Sequence, residues 1–370
     1  MIRYIAPLTA MRGLAALWVM AFHIDVSLFY RDMGALLPRD QTGLLSKGYL
    51  WVDFFFILSG FIIAHVYAED LSVPRYLRAR FARIYPLHLF CLGLVILIAL
   101  IYPLFLPDIV EDGSWKIFMA WSAIASNLLL IHAMDQHVYL SWDIVSWSIG
   151  AEWWTYIVTI PLLVSLPKLT RPAALASGLI AFALLALFVL SHPEPTLDIT
   201  YKWGFTRCLT EFVVGACLWR CWHESSGAWL GKDIVMLGLL AAIAALFHYK
   251  GNDLLAVPLH CLLLYGLCHG KGVINRLLTL RFPHYVGQIS YSLYMVHGVV
   301  FSAAWFLMPL ARARWGIPSA EVRWLYAAGF VAVTFAGAHF TYQKIERPMR
   351  SFLKRQKLRV TASSARSRSN

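Results

Sequence analysis

The chain has 370 residues, of which 59% are hydrophobic and only 14% are charged, whereas an ordinary soluble domain has about 25% charged residues. Apolar segments recur from the N-terminus to about Tyr342 and leave no interval for a soluble domain, so the sequence predicts one polytopic membrane domain. Basic cytoplasmic loops account for the net charge of +12, so no nucleic-acid partner is expected.

The first predicted membrane helix, Thr9 to Leu28, contains two ionisable side chains, Arg12 and His23. Each ionisable group inside a span costs about 3 kcal/mol, so two in one helix indicate a working site. Eleven positions separate them, which places both within about 20° of one helix face and about 16 Å apart along the axis. We expect them to line one path while acting on different atoms.

The later spans of the predicted all-α bundle are expected at residues 49–67, 87–106, 144–165, 173–190, 205–222, 233–249, 253–269, 289–310 and 324–343. The segment 115–131 is short and mixed, and either crosses the membrane or lies at its interface. If it crossed, the basic C-terminal tail would lie outside. The positive-inside rule therefore favours ten spans, with both termini in the cytoplasm. Residues 1–350 form the membrane domain, and residues 351–370 a basic tail predicted to be disordered.

A cationic run, made of Arg75, Arg78, Arg80 and Arg83, precedes the third predicted span. Clustered guanidinium groups at the mouth of a span suit phosphates and diphosphates, as in acyl-CoA or a polyprenyl donor. Charge alone favours the simpler explanation, a cytoplasmic loop that obeys the positive-inside rule.

His23 and Glu152 are predicted to lie in the outer half of the membrane. A neutral imidazole oriented by a carboxylate is the usual arrangement for taking a proton from a hydroxyl group. The alternative is that the two side chains only hydrogen-bond each other between helices, and spacing alone does not separate the two interpretations. His297 is another intramembrane polar residue, for which helix–helix hydrogen bonding is the simpler role.

Several familiar catalytic patterns are absent from the sequence. There is no Walker loop, no dinucleotide fingerprint and no zinc-binding His-Glu-x-x-His helix. The segment Ser146-Trp147-Ser148-Ile149-Gly150 lacks the first glycine and the preceding strand of a nucleophile elbow. Neither a bound cofactor nor a metal site is predicted.

Six segments together resemble the acyltransferase-3 family of multi-pass membrane acyltransferases, which includes O-antigen and exopolysaccharide O-acetylase-like members. They are Arg12-Gly13-Leu14-Ala15-Ala16 running to His23, Val52-Asp53-Phe54-Phe55-Phe56, Arg80 and Arg83 before Tyr85-Pro86, Ser146-Trp147-Ser148 followed by Glu152, Ser290-Tyr291-Ser292-Leu293-Tyr294 leading to His297, and Glu346-Arg347-Pro348. The resemblance covers nearly the whole chain. It implies a fold of about ten spans and transfer of an acyl group, often acetyl, from acyl-CoA to a hydroxyl of a carbohydrate or glycoconjugate.

The resemblance also implies roles for individual residues. His23 matches the family's essential histidine, Arg80 and Arg83 match its Arg-x-x-Arg element, and Glu152 matches its acidic position. Acyl-CoA would then approach from the cytoplasm, with its phosphates on the two arginines. His23 would either deprotonate the acceptor or carry the acyl group itself.

The supporting residues expected around this path are Arg12, Asp53, Ser146, Trp147, Ser148 and His297. The expected location is a bacterial cytoplasmic membrane. The main alternative is a transporter or flippase, because intramembrane Arg, His and Glu residues also mark substrate and proton pathways.

Overall fold

A computed structural model describes residues 4–223, 227–349 and 351. Within these residues the chain is helical and contains no β-strand. The α-helices are α1 (Ala6–Tyr30), α2 (Trp51–Tyr67), α3 (Val73–Phe105), α4 (Gly113–Phe118), α5 (Ile124–Leu128), α6 (Trp147–Val158), α7 (Ile160–Ser165), α8 (Arg171–Leu190), α9 (Gly204–His223), α10 (Asp233–His248), α11 (Ala256–His269), α12 (Val273–Leu278), α13 (Arg281–Trp315) and α14 (Ala320–Thr341). A π-helical turn, Tyr342–Glu346, follows α14. The predicted tail, apart from Ser351, lies outside the described residues.

Helices occupy all ten predicted span positions, which confirms the all-helical fold class. Among the described helices, six are long and apolar enough to cross a bilayer: α1, α2, α3, α8, α13 and α14. The pair α6 and α7, bent by 51°, would make a seventh, while α10 and α11 are shorter apolar helices. The architecture is that of a multi-pass membrane protein, and the count of ten spans stays a prediction.

The start of α3 differs from the prediction. The helix begins at Val73 and not near Leu87, with Pro74 in its first turn, where the missing N–H costs nothing. The cationic run therefore belongs to the helix and not to a loop. Helical spacing then separates its members: Arg75 and Arg78 are exposed, whereas Arg80 and Arg83 are partly buried.

The segment 115–131 contains the end of α4, a short 3₁₀ turn and α5, and none of these is long enough to span a bilayer. This agrees with the assignment of the segment as non-crossing. The segment packs against α13 through Trp115 and Phe118, both in contact with Phe306.

Close backbone contact between α1 and α13 sets the position of the site. A Cβ atom on Gly13 would lie 2.5 Å from the backbone nitrogen of Gly287, and one on Gly287 would lie 2.0 Å from the carbonyl oxygen of Thr9. Small residues allow membrane helices to approach in this way. The glycine after Arg12 therefore brings the polar face of α1 directly onto α13.

Candidate active site

Both ionisable residues of α1 face α13, as their spacing predicts. Arg12 donates from Nε to the Ser290 hydroxyl at 2.8 Å and from Nη2 to the Gly287 carbonyl at 2.8 Å. His23 contacts His297, two turns further along α13 than Ser290. One helix pair thus holds Arg12 at one level and His23 at another.

A cavity of about 140 Å³ lies beside this helix pair. Its lining comes from five helices and includes Arg12 of α1, Phe55, Ser59 and Ile62 of α2, Arg80 and Arg83 of α3, Ser148, Glu152 and Tyr156 of α6, and Ser290, Tyr291 and Tyr294 of α13. Along α2 the lining runs from Val52 to Ile63, which is about 16 Å of helix. The cavity is therefore elongated along the helix axes.

Three guanidinium groups gather at one end of the cavity, which we call the arginine end (Arg12, Arg80, Arg83). Arg83 forms an ion pair with Glu346, whose side chain is 1% exposed and whose other oxygen accepts from Ser292 at 2.8 Å. The carboxylate of Glu346 balances the charge of Arg83. The π-helical turn that contains Glu346 is the rare kind of helix that often occurs at functional sites.

Arg80 has no such carboxylate partner among the described residues. Its guanidinium group lies 5.6 Å from the ring centres of both Tyr67 and Tyr156 and donates weakly to the Tyr67 hydroxyl at 3.5 Å. Its buried Nε atom has no hydrogen-bond acceptor in the described structure. A buried donor without an acceptor costs free energy, so this position suits an anionic ligand.

Glu152 also lies at the cavity, where its carboxylate accepts a hydrogen bond from Ser59 at 2.5 Å. The Ser59 hydroxyl lies 2.9 Å from that of Tyr156. Arg12, Arg80 and Arg83 thus face Glu152 and Glu346, so the cavity retains an excess of positive charge.

The opposite end of the cavity is formed by aromatic rings and two hydroxyl groups. The hydroxyls of Ser148 and Tyr294 lie 2.8 Å apart, and each is 3.2 Å from the carbonyl oxygen of Val145. The Tyr294 ring lies 6.0 Å from Phe55 on the cavity side and 5.2 Å from His297 on the other. Tyr294 therefore links the cavity to the histidines.

His23 and His297 form a pair beyond Tyr294. Nε2 of His297 lies 3.3 Å from Nδ1 of His23, and the two rings are 4.9 Å apart at 62°. His297 is fully buried, whereas His23 is partly exposed. Nδ1 of His23 also lies 2.9 Å from the Val19 carbonyl oxygen, which can only accept, so we assign the proton of His23 to Nδ1. Nε2 of His23 is then an unprotonated base, without a hydrogen-bond partner in the described structure.

The predicted pairing of His23 with Glu152 is wrong. Glu152 lines the cavity together with Arg12 and accepts a hydrogen bond from Ser59, whereas His23 does not line the cavity. The reason is where α6 begins: Trp147 is its first residue and Ser148 lies level with Tyr294, so Glu152 is one turn deeper, towards the arginine end. His297 takes the place expected for Glu152.

Asp53 does not line the cavity, so it does not lie on the path expected between donor and His23. Its two carboxylate oxygens accept from Nε and Nη2 of Arg207 at 2.8 and 2.7 Å, and both side chains are fully buried. The pair joins α2 to α9. Sequence reasoning missed Arg207, which lies in a predicted span and whose partner is 154 positions away.

Two other predicted supporting residues pack beside the site without lining the cavity. The Ser146 hydroxyl lies 3.1 Å from Nε2 of the buried His132. The Trp147 ring lies 5.7 Å from the Arg207 guanidinium and 6.0 Å from Phe56. Both residues therefore support the start of α6, whereas Ser148 reaches the cavity itself.

Sequence reasoning also missed two residues of the site that lie in segments carrying the family resemblance. Tyr294 is one turn before His297, and Glu346 begins the Glu-Arg-Pro segment after the last predicted span. Their positions could be marked from the sequence, but their contacts with the cavity and with Arg83 depend on how α13 and the π-helical turn pack.

The fold and this site define a multi-pass membrane protein with a cationic cavity that leads towards a pair of histidines. A model of the acyltransferase domain family matches residues 5–342, so the chain belongs to this family and is an acyltransferase. This confirms the family predicted from the sequence. The transporter alternative is not favoured.

Comparison with individual proteins agrees with this family assignment. The chain is 28% identical to acyltransferase MdmB of Streptomyces mycarofaciens over 96% of its length and 94% of that protein. It is 20% identical to peptidoglycan O-acetyltransferase OatA of Listeria monocytogenes over 94% of its length, but spans only 56% of that relative. It is 21% identical to O-acetyltransferase OatA of Staphylococcus aureus over 80% of its length and 50% of that relative. No solved structure matches the chain.

Proposed function

We propose that the protein transfers an acyl group, acetyl in the simplest case, from acyl-CoA to a hydroxyl of a carbohydrate or glycoconjugate acceptor. The observation that carries the proposal is the elongated cavity, with unneutralised arginine charge at one end and the Tyr294–His297–His23 contact series at the other. A donor with an anionic head and a reactive acyl end matches both ends. No bound cofactor is required by this chemistry.

The donor phosphates belong at the arginine end. Arg80 has a buried N–H without an acceptor, and Arg12 is oriented by two hydrogen bonds. Both guanidinium groups can therefore bind an anion without first losing a carboxylate partner. Arg83 is held by Glu346 and fixes the wall of the cavity. Glu152 remains a residue of this donor site and not a partner of His23.

The acceptor hydroxyl belongs at His23. Nε2 of His23 removes the hydroxyl proton while the acceptor oxygen attacks the thioester carbonyl carbon; the carbon–sulfur bond then breaks, and the imidazolium returns the proton to the leaving thiolate. The Val19 carbonyl oxygen accepts the Nδ1 proton and so sets the tautomer of His23, while His297 contacts the ring at Nδ1 and holds its position. The partial exposure of His23 leaves room for an acceptor that does not pass through the arginine end.

The test is acyl transfer by the purified full-length protein in lipid nanodiscs. Labelled acetyl-CoA is supplied with a panel of glycan and glycoside acceptors, and both thiol release and acceptor labelling are measured. We expect equal amounts of thiol and labelled product from the wild type, and neither from His23→Ala. Transfer by His23→Ala at the wild-type rate would refute the role of His23, and transfer only from a donor other than acyl-CoA would refute the donor.

We also propose that the protein resides in a bacterial cytoplasmic membrane with both termini in the cytoplasm. The charge distribution over the predicted loops supports this orientation. Reporter fusions at the C-terminus and in the loop around Asp198 test it. A cytoplasmic signal from the first fusion and an external signal from the second are expected, and the reverse pattern would refute the orientation.

A further inference from the structure

We propose that the aromatic end of the cavity, formed by Val52, Phe55, Phe56, Ser148, Ile149 and Tyr294, is an acyl-binding subsite that selects a short, unbranched acyl group. The inference rests on the proposed function, because it concerns the acyl end of the same donor. It names the residues that would decide which acyl group is transferred.

The two ends of the cavity differ in chemistry along one helix face. Phe55, Ser59 and Ile62 are the partly exposed members of α2 at the cavity, spaced by four and three residues, so they form a stripe along the cavity wall. Ser59 hydrogen-bonds to Glu152 at the middle, and Ile62 lies towards the arginine end. Phe55 is the member that reaches Tyr294.

The size of the cavity limits what it encloses. At about 140 Å³ it is well below the roughly 300–1,000 Å³ of pockets that bury a drug-sized ligand. Only the reacting end of a donor as large as acyl-CoA fits inside. With the phosphates at the arginine end, that reacting end extends towards Phe55 and Tyr294, where the wall is apolar.

Phe55 and Tyr294 narrow this end, between the cavity and the histidines. Their rings meet edge to face at 6.0 Å and 76°, and Tyr294 is fixed further by the 2.8 Å contact with Ser148. A longer acyl chain would meet the Phe55 ring before the thioester reached the level of the histidines. The Ser148 and Tyr294 hydroxyls bond to each other and to the Val145 carbonyl, so they form a fixed polar wall beside the acyl end.

The experiment measures transfer from acetyl-, propionyl-, butyryl- and hexanoyl-CoA by wild type and by Phe55→Ala in nanodiscs. The wild type should prefer two or three carbons. One methylene in an apolar pocket changes kcat/KM by roughly 10- to 200-fold, so we expect Phe55→Ala to raise the butyryl-to-acetyl ratio by at least about tenfold. Phe55→Trp makes the subsite smaller and should lower the ratio of propionyl to acetyl transfer.

Ile62→Ala is the matched control, since it enlarges the same wall two turns nearer the arginine end. Its ratio of butyryl to acetyl transfer should stay within about twofold of the wild type. Folding of each variant is checked by size-exclusion chromatography in detergent. Transfer by the wild type with an unaltered chain-length profile in both Phe55 variants would overturn the subsite alone. Absence of transfer from every acyl-CoA by the wild type would overturn the proposed function as well.

Discussion

Nε2 of His297 lies 3.3 Å from Nδ1 of His23, so a histidine of α13, and not a carboxylate, lies against the proposed base on α1. A histidine partner is neutral and cannot stabilise an imidazolium as a carboxylate would. The Val19 carbonyl accepts the Nδ1 proton and leaves Nε2 free, and His297 lies against Nδ1 of the same ring. The arrangement therefore points to positioning of the ring as the contribution of His297.

We predict that His297→Ala lowers kcat by about 100-fold, because a misplaced base loses the alignment on which transfer depends, while the KM for acyl-CoA changes little. His297→Asn can still accept a hydrogen bond and should recover part of the rate. Steady-state kinetics and the pH–rate profile of both variants provide the measurement. Equal losses in the two variants, with an unchanged pH profile, would indicate a merely structural role.

Arg80 and Arg78 provide a matched comparison on one helix. Arg80 faces the cavity and Arg78 is exposed, with its Nε bonded to the Pro74 carbonyl. Arg80→Lys should raise the KM for acyl-CoA about tenfold, equivalent to one hydrogen bond to a charged group, because lysine loses the planar fork. Arg78→Lys should leave the KM within about twofold. A similar KM for both variants would remove Arg80 from the donor site.

The ion pair of Arg83 with Glu346 predicts a non-additive effect on stability. Arg83→Ala leaves the Glu346 carboxylate buried without its cation, which should cost about 3–5 kcal/mol. Glu346→Gln in the same chain removes the orphaned charge, so the double variant should be more stable than Arg83→Ala alone. Thermal unfolding in detergent for the four proteins of the cycle measures the coupling. Additive losses would show that the pair does not act as a unit.

Local pattern predicted much of the molecule. The positions of the apolar helices, apart from the start of α3, and the common face of Arg12 and His23 follow from hydrophobicity and helical spacing, and the motif segments mark Arg80, which lines the cavity. The His23–Glu152 pairing failed because it depended on depth: Ser148 lies level with Tyr294, and Glu152 follows one turn later on α6, towards the arginine end. Depth is set by packing and not by the residues themselves.

Ion pairs between residues that lie far apart in the sequence are the other feature that the sequence does not predict. Arg207 with Asp53 and Glu346 with Arg83 join residues 154 and 263 positions apart. Any buried acid could in principle meet any buried base in a bundle of this size. Only the arrangement of helices selects the partner, which is why the sequence predicts Asp53 beside the site, whereas Asp53 lies in a separate buried pair.

The burial of Asp143 makes the free energy of unfolding depend on pH. This carboxyl lies in the loop before α6 and is fully buried. Burial raises its pKa from 3.8 to about 8. Between those values the unfolded chain has lost the proton and the folded chain keeps it, so the stability contributed by this group falls as pH rises from about 4 to 8.

Asp143→Asn should therefore raise the Tm at pH 7.5 and flatten its decline between pH 5 and 8, because the neutral side chain carries no ionisation penalty. Thermal unfolding in detergent across this range checks the prediction. Glu194→Gln, at an exposed carboxyl, is the control and should keep the wild-type slope. An unchanged slope in Asp143→Asn would mean that Asp143 is already hydrated or paired.

A backbone contact at Gly13 and Gly287 holds α1 against α13. Gly13→Ala would place a methyl group 2.5 Å from the backbone nitrogen of Gly287, and a backbone atom cannot rotate away as a side chain can. The helices must separate, at a cost of about 1–3 kcal/mol, and both Arg12 and His23 move with α1. We expect a lower Tm together with a loss of transfer of about 100-fold, since a shift of 1 Å can cost that much.

Gly93→Ala on α3 is the matched control, because a Cβ there meets no atom within 4 Å, and it should leave transfer and Tm unchanged. Full activity in Gly13→Ala would show that the contact between α1 and α13 does not fix the geometry of the site.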